Sequence, residues 1–352
     1  PPQSKLLSMF PQAIEEHVQY DGSGSAMAGC HIEVSDTGVI CEVTILVEKD
    51  MKGPIHVFYE IEGFYQNHRS YLKSLSWEQL HPEQSRKDPK ESTLQVDCYP
   101  LWKNKTRILH PCGVVPNTLF NDVIALKNVN LNFEEDEIAW RSDIKELYKM
   151  PEGFSWQFLP SNGSLTDPCL SKSAHTAFVP CNASLCAAAG WKTETCFGYV
   201  CSGGYFDNFA CDSGDLILFK YGSHDKFQYL YETFPQVISP LVGVNSEHFA
   251  VWMKTAALPK FRKLYGRINT NLKEGTELVF IIENNFDVHA LSGRKTLVVA
   301  TSNGFEYEFL VLSYIVVGCV SLATAIAFAS LQLLKPRQMG EVQHTSWLSN
   351  GA

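Results

Sequence analysis

Residues 38–48 read GVICEVTILVE, and residues 54–65 read PIHVFYEIEGFY. In the first stretch Val39, Cys41, Val43, Ile45 and Val47 alternate with a face holding Glu42, Thr44 and Glu48. In the second, Ile55, Val57, Tyr59 and Ile61 lie opposite His56, Glu60 and Glu62. A side-chain period of two puts each apolar set on one face of a β-strand and each polar set on the other. Further apolar runs of strand length follow, DLILFK, HFAVWM, ELVFIIE and KTLVVAT, with Gly, Asn, Asp or Pro near their ends. Helical spacing is confined to short stretches around SYLKSLSWEQL and RSDIKELYKM. The expected fold is mainly β, an antiparallel sandwich-like domain with short helices.

One stretch breaks this pattern. Phe309 to Leu334, FLVLSYIVVGCVSLATAIAFASLQLL, is 26 residues without a charge. At 1.5 Å per residue it spans a hydrocarbon core of about 30 Å with some tilt. Glu306 and Glu308 precede it, whereas Lys335 and Arg337 follow. That asymmetry assigns residues 335–352 to a cytosolic tail and residues 1–308 to an exoplasmic domain. Residues 1 to 30 hold no apolar run that would serve as an export signal, so an earlier membrane-inserting segment is expected before Pro1. The span carries no ionisable side chain, which argues against an ion pathway within it. Gly318, Ala325 and Ala329 fall broadly on one face and are candidates for close contact with another membrane helix.

Ten of the eleven cysteines precede the span: Cys30, Cys41, Cys98, Cys112, Cys169, Cys181, Cys186, Cys196, Cys201 and Cys211. An even number in a translocated domain favours disulfides. Asn104, Asn162 and Asn182 begin Asn-x-Ser/Thr triplets there and are candidate glycan sites. Six of the cysteines crowd into 43 residues, and from Cys181 their intervals run 5, 10, 5 and 10. This suggests a small duplication inside a disulfide-stapled segment. Zinc binding by these Cys-x4-Cys units is disfavoured on an oxidising side of the membrane.

The formal net charge of −9 gives no general attraction to nucleic acid. HExxH, GxSxG, GxxxxGK[ST] and the Rossmann glycine fingerprint are all absent from the sequence, so no enzymatic activity and no cofactor is expected. His68 lacks an accompanying nucleophile and reads as a structural histidine; Glu134 and Glu135 read as solvated loop charges. The most basic stretch is WMKTAALPKFRKLYGRI, residues 252–268, with Lys254, Lys260, Arg262, Lys263 and Arg267 and no acid. Phe261, Leu264, Tyr265 and Ile268 fit helical spacing, but Pro259 limits a helix to the second half. The expectation is a strand through HFAVWM, then a turn or short helix. Its cations are candidates for binding a partner's acidic surface or lipid headgroups, against pairing with the domain's own carboxylates.

VFYEIEGFYQNHRSYLKS, PCGVVPNTLFND, HFAVWMKTAALPKFRKLYGRI followed by IIENNFDV, and the SYIVVG start of the apolar span resemble the ligand-effect-modulator family. These are the accessory (beta) subunits of type-IV P-type ATPases, the phospholipid flippases. The resemblance covers most of residues 14 to 150 and 247 to 337. It implies two transmembrane helices, the first before Pro1, cytosolic termini and a glycosylated exoplasmic domain of antiparallel strands. It implies a partner that binds ATP and magnesium and moves lipid, escorted by this subunit from the endoplasmic reticulum towards the Golgi, endosomes or plasma membrane. It also implies disulfides Cys30–Cys41 and Cys98–Cys112. Residues 161–244 depart from the family pattern and are expected to be a cysteine-rich insertion. A stand-alone cell-surface receptor or adhesion glycoprotein is the alternative.

Overall fold

The computed structural model describes residues 14–24, 28–32, 38–81, 89–128, 130–159, 179–180, 196–200, 204–206, 209–211, 216–301 and 305–334. Ile14–Ser302 forms one compact unit, and the helix Phe305–Leu334 belongs to a second.

The two opening stretches of the sequence analysis enter different sheets. Ile55–Glu62 is the central strand of a five-stranded antiparallel sheet ordered Glu15–Gly22, Arg294–Thr301, Ile55–Glu62, Lys260–Ile268 and Phe133–Glu134. Val39–Leu46 is an edge strand of a three-stranded antiparallel sheet whose centre is Glu277–Asn284 and whose far edge is Val123–Leu126. The period of two holds: Ile55, Val57, Tyr59 and Ile61 are buried, as are Leu278, Phe280, Ile282 and Asn284. One core joins the inner faces, with Val43, Ile45 and Phe280 in the same cluster as Val57, Leu297 and Val299. Tyr59 stacks on Phe120 at 3.8 Å, and the Tyr265 hydroxyl of one sheet accepts from the Ile124 N–H of the other at 3.0 Å. The arrangement is a two-sheet sandwich.

PCGVVPNTLFND wraps this core. The Trp252 indole, fully buried, donates to the Val115 carbonyl at 3.0 Å, and Gln79 accepts from the Cys112 N–H at 2.7 Å. Gly113 has φ +109°, and a Cβ there would lie 2.1 Å from the Ser74 carbonyl oxygen, so only glycine fits. Cys98 and Cys112 are joined, as are Cys30 and Cys41, with Cα separations of 5.6 and 5.2 Å. Cys169, Cys181, Cys186 and Cys201 lie outside the described residues, and so do the side chains of Cys196 and Cys211.

A further antiparallel sheet pairs Ser155–Leu159, which precedes the expected insertion, with three strands inside it, in the order Ser155–Leu159, Leu216–Lys220, Cys196–Val200 and Val179–Pro180. Beyond it Tyr221, Phe227, Tyr229, Leu230, Tyr231, Ile238 and Val244 pack in the main core. Phe227–Tyr229 pairs in parallel with Arg107–His110.

The basic stretch corrects the sequence reading on both sides of Pro259. HFAVWM is not a strand: Glu247–Met253 is an α-helix that buries Phe249, Ala250, Trp252 and Met253. Those positions recur at three and four residues, a spacing that a run of only five apolar residues leaves ambiguous. Lys260–Ile268 is not a turn or helix but a nine-residue strand. Phe261, Lys263 and Tyr265 face inward, and a bulge between Leu264 and Gly266 then resets the alternation so that Ile268 is buried. Gly266 is required there, because a Cβ would sit 2.6 Å from the Phe133 ring.

Phe305–Leu334 has one segment, Ser313–Leu334, long and apolar enough to cross a membrane. Ser321, Thr324 and Ser330 donate to carbonyls four residues back at 2.8, 3.0 and 2.8 Å. Their hydroxyls are therefore satisfied inside the helix. Gly318, Ala325 and Ala329 are exposed on it.

The two disulfides close loops of 11 and 14 residues. Replacing either pair by serine is expected to cost about 3 kcal/mol of unfolding free energy, by releasing the denatured chain. Denaturant unfolding of C30S/C41S and C98S/C112S measures it, with non-reducing peptide mapping to verify the pairing.

Candidate functional site

The five cations of residues 252–268 occupy four environments. Lys260 and Arg262 point outward from the sheet. Lys260 meets Glu60 at 3.1 Å, and Arg262 meets Glu15 at 2.9 Å and Glu60 at 3.4 Å. Arg267, beyond the bulge, faces Glu137 at 3.4 Å and Glu134 at 4.0 Å. Lys254 pairs with Asp143 at 2.6 Å and lies over the Trp140 ring at 4.5 Å. The cation of each pair reaches solvent, which screens the attraction and leaves each pair a minor contributor to stability. The acidic residues of Glu134–Glu135 also take partners: Asn269 donates to Glu134, and His248 lies 2.9 Å from Glu135.

Lys263 is a correction, since it cannot meet a partner. It is 7% exposed, and its ammonium donates to the carbonyls of Val251, Trp252 and Lys254 at 2.9, 2.8 and 2.5 Å. Those are orphan carbonyls at the C-terminal end of Glu247–Met253, where the helix dipole favours a cation. Burial first, and repulsion from Lys254 second, push its pKa down to about 7.

A second buried cation lies deeper. Lys295, fully buried, donates to Asp122 at 2.9 Å, to the Phe286 carbonyl at 2.5 Å and to Asn284. Asp21 stands 3.3 Å away on its other side. Asp122 also accepts from the Tyr20 hydroxyl at 2.8 Å and from the N–H groups of Asn285 and Phe286 at 2.7 and 2.6 Å. Asn284 donates to Asp21 at 2.9 Å and to the Cys30 carbonyl at 2.6 Å. Burial alone would raise the Asp21 carboxyl; the Asn284 hydrogen bond and the Lys295 charge outweigh it and hold the carboxyl below its ordinary value.

Sequence reading singled out none of Asp21, Asp122 and Lys295. Two of its motifs nonetheless converge here: PCGVVPNTLFND ends on Asp122, and IIENNFDV supplies Asn284 and Phe286. A usable signal existed in KTLVVAT, where Lys295 shares the inward parity of Leu297 and Val299. His68 contacts Ser70 at 2.6 Å, a local structural bond. Asn104 is exposed and donates to Gln228 at 3.0 Å; Asn162 and Asn182 lie outside the described residues.

Lys263 yields a pH prediction. Its folded pKa is below the unfolded value, so between about pH 7 and pH 10 the unfolded chain holds more protons and stability rises with pH. Relative to Lys263→Met, the wild type should gain up to about 1.4 kcal/mol per pH unit across that window. Denaturant midpoints at pH 7, 8 and 9 test this. Parallel profiles would mean that the three carbonyls keep the ammonium charged throughout.

A profile of the family described as LEM3 (ligand-effect modulator 3) family / CDC50 family matches residues 12–338. The chain is 30% identical over 311 residues to Putative ALA-interacting subunit 4 of Arabidopsis thaliana, covering 87% of this chain and 70% of that protein. It is 25% identical over 308 residues to Cell cycle control protein 50A of Mus musculus, covering 82% and 67%. To the Phospholipid-transporting ATPase accessory subunit CDC50 of Chaetomium thermophilum it is 27% identical over 328 residues, covering 89% and 65%. With the matched motifs meeting in one buried network and the profile running over nearly all its length, the chain belongs to the LEM3/CDC50 family.

Proposed function

We propose that this chain is the non-catalytic accessory subunit of a type-IV phospholipid-transporting ATPase, with which it forms a heterodimer. The observation that carries the reading is the family match over residues 12–338, together with a relative of that name aligned over 89% of the chain. The use of charge in the body supports it: Lys263 and Lys295 are spent on carbonyls and carboxylates that hold backbone segments together. That is a scaffold's chemistry.

In this reading the sandwich stands on the exoplasmic side, carries N-linked glycans, and covers exoplasmic loops of the ATPase. The apolar helix packs beside the ATPase in the membrane, and the tail is cytosolic. The ATPase binds ATP and magnesium and moves the lipid. The subunit supports its folding, its exit from the endoplasmic reticulum to the Golgi, endosomes or plasma membrane, and its cycle. Contacts that are stronger in one pump conformation shift the cycle, whereas equal contacts give assembly only.

Affinity purification in mild detergent is expected to recover a type-IV ATPase in equimolar amount, and deleting the subunit should hold that ATPase in the endoplasmic reticulum. An ATPase that matures and transports lipid alone would overturn the proposal; a soluble ligand recovered in its place would favour a receptor. The docking role of the outward cations has its own test in the double variant Lys260→Glu, Arg262→Glu. Recovery of the ATPase should fall, and its decline with added salt should flatten or reverse, while the variant loses about 1–2 kcal/mol of stability at most. Unchanged recovery and salt dependence would confine both residues to pairing with Glu15 and Glu60.

A further inference from the structure

Asp21 has two differently employed oxygens. Oδ2 faces inward, to Asn284 at 2.9 Å and Lys295 at 3.3 Å. Oδ1 accepts from the Gly22 N–H at 2.7 Å and is turned towards two imidazoles, His289 Nε2 at 3.3 Å and His31 Nδ1 at 3.5 Å. The two rings stand 4.2 Å apart at 74°, and one donor atom from each of the three residues falls within 4.8 Å of the others. The three come from separate stretches, each held in place. Asp21 ends the strand Glu15–Gly22; His31 follows the disulfide-bonded Cys30; His289 opens a turn whose N–H donates to Asp287 at 2.7 Å.

Three arguments make this more than a hydrogen-bonded cluster. The first is valence. If both imidazoles donate to Oδ1, that oxygen carries three N–H donors including Gly22, more than its two lone pairs accommodate well. The second is charge. Two carboxylates, Asp21 and Asp122, face the single ammonium of Lys295, all three at 0% exposure, so the network has one negative charge in excess. A cation on the Oδ1 side would compensate it. The third is geometry. Around a tetrahedral zinc with bonds of about 2.0–2.1 Å, ligand atoms lie about 3.3–3.4 Å apart. The two distances from Oδ1 match that edge, and the right-angle edges of an octahedral site would be shorter.

We propose that Asp21, His31 and His289 bind a zinc ion, with a fourth position open on the solvent side, where the His31 side chain is 47% exposed. The ion caps the buried Lys295 network and clamps the Glu15–Gly22 strand to the segment after Cys30 and to the turn at His289–Leu291. Its ligand nitrogens must be unprotonated, so protons compete with the metal for the site.

The test uses the full chain in detergent, untagged, stripped with a chelator and titrated with Zn²⁺ by calorimetry at neutral pH. One equivalent should bind and raise the melting temperature. His289→Gln should weaken binding at least tenfold, and His31→Gln, at a half-exposed position that the fold tolerates, should do the same. His17→Gln, on the exposed face of the same strand, should bind like the wild type. Failure of the folded wild type to take up zinc would overturn the site. So would one equivalent that persists in both His31→Gln and His289→Gln, or equal affinity for Mg²⁺ and Ca²⁺, which imidazole ligands disfavour.

Discussion

An ammonium group held out of water between two carboxylates is the contact on which the sandwich depends. Lys295 belongs to the five-stranded sheet, Asn284 to the three-stranded sheet, and Asp122 to the stretch that wraps the core. Desolvating each charge costs several kcal/mol, and only close pairing with further hydrogen bonds offsets it. Here the pairing is dense: Asp122 also takes Tyr20 and two backbone N–H groups, and Asn284 ties Asp21 to the Cys30 carbonyl. Removing one charge would leave its partners buried and uncompensated, a loss of about 3–5 kcal/mol. The network therefore couples the register of both sheets to the path of the loop between them.

The same physics divides the basic stretch. Its exposed cations sit in exchangeable surface pairs, whose strength is limited by solvent and salt. Lys263, three residues from Lys260, is fixed to the end of a helix and has no freedom to meet anything else. Charge density along the chain thus overstates the number of cations available at the surface. The membrane helix shows a related economy. The hydroxyls of Ser321, Thr324 and Ser330 bond to carbonyls of their own helix, so they need no partner from outside it.

Much of the fold was legible in sequence because one physical rule produced it. Alternation along Ile55–Glu62 and Glu277–Asn284 requires one dry and one wet face, and both strands obey. The apolar stretch ending at Leu334 was equally plain, since no soluble surface pattern interrupts it. Reading failed at HFAVWM and KFRKLYGRI. Five consecutive apolar residues satisfy either period, and in the second segment a bulge at Leu264–Gly266 broke the alternation that would have identified a strand.

By itself, the sequence determined the β class, the membrane-length helix and the cysteine-rich character of the middle segment, all of which follow from local period, length and composition. Only the tertiary structure decided which charges are interior. Asp21 and Asp122 lie 101 residues apart and Lys295 another 173 further on, so their meeting is fixed by strand order and register. Burial is a property of what packs against a face, and no local pattern states it for a charged side chain.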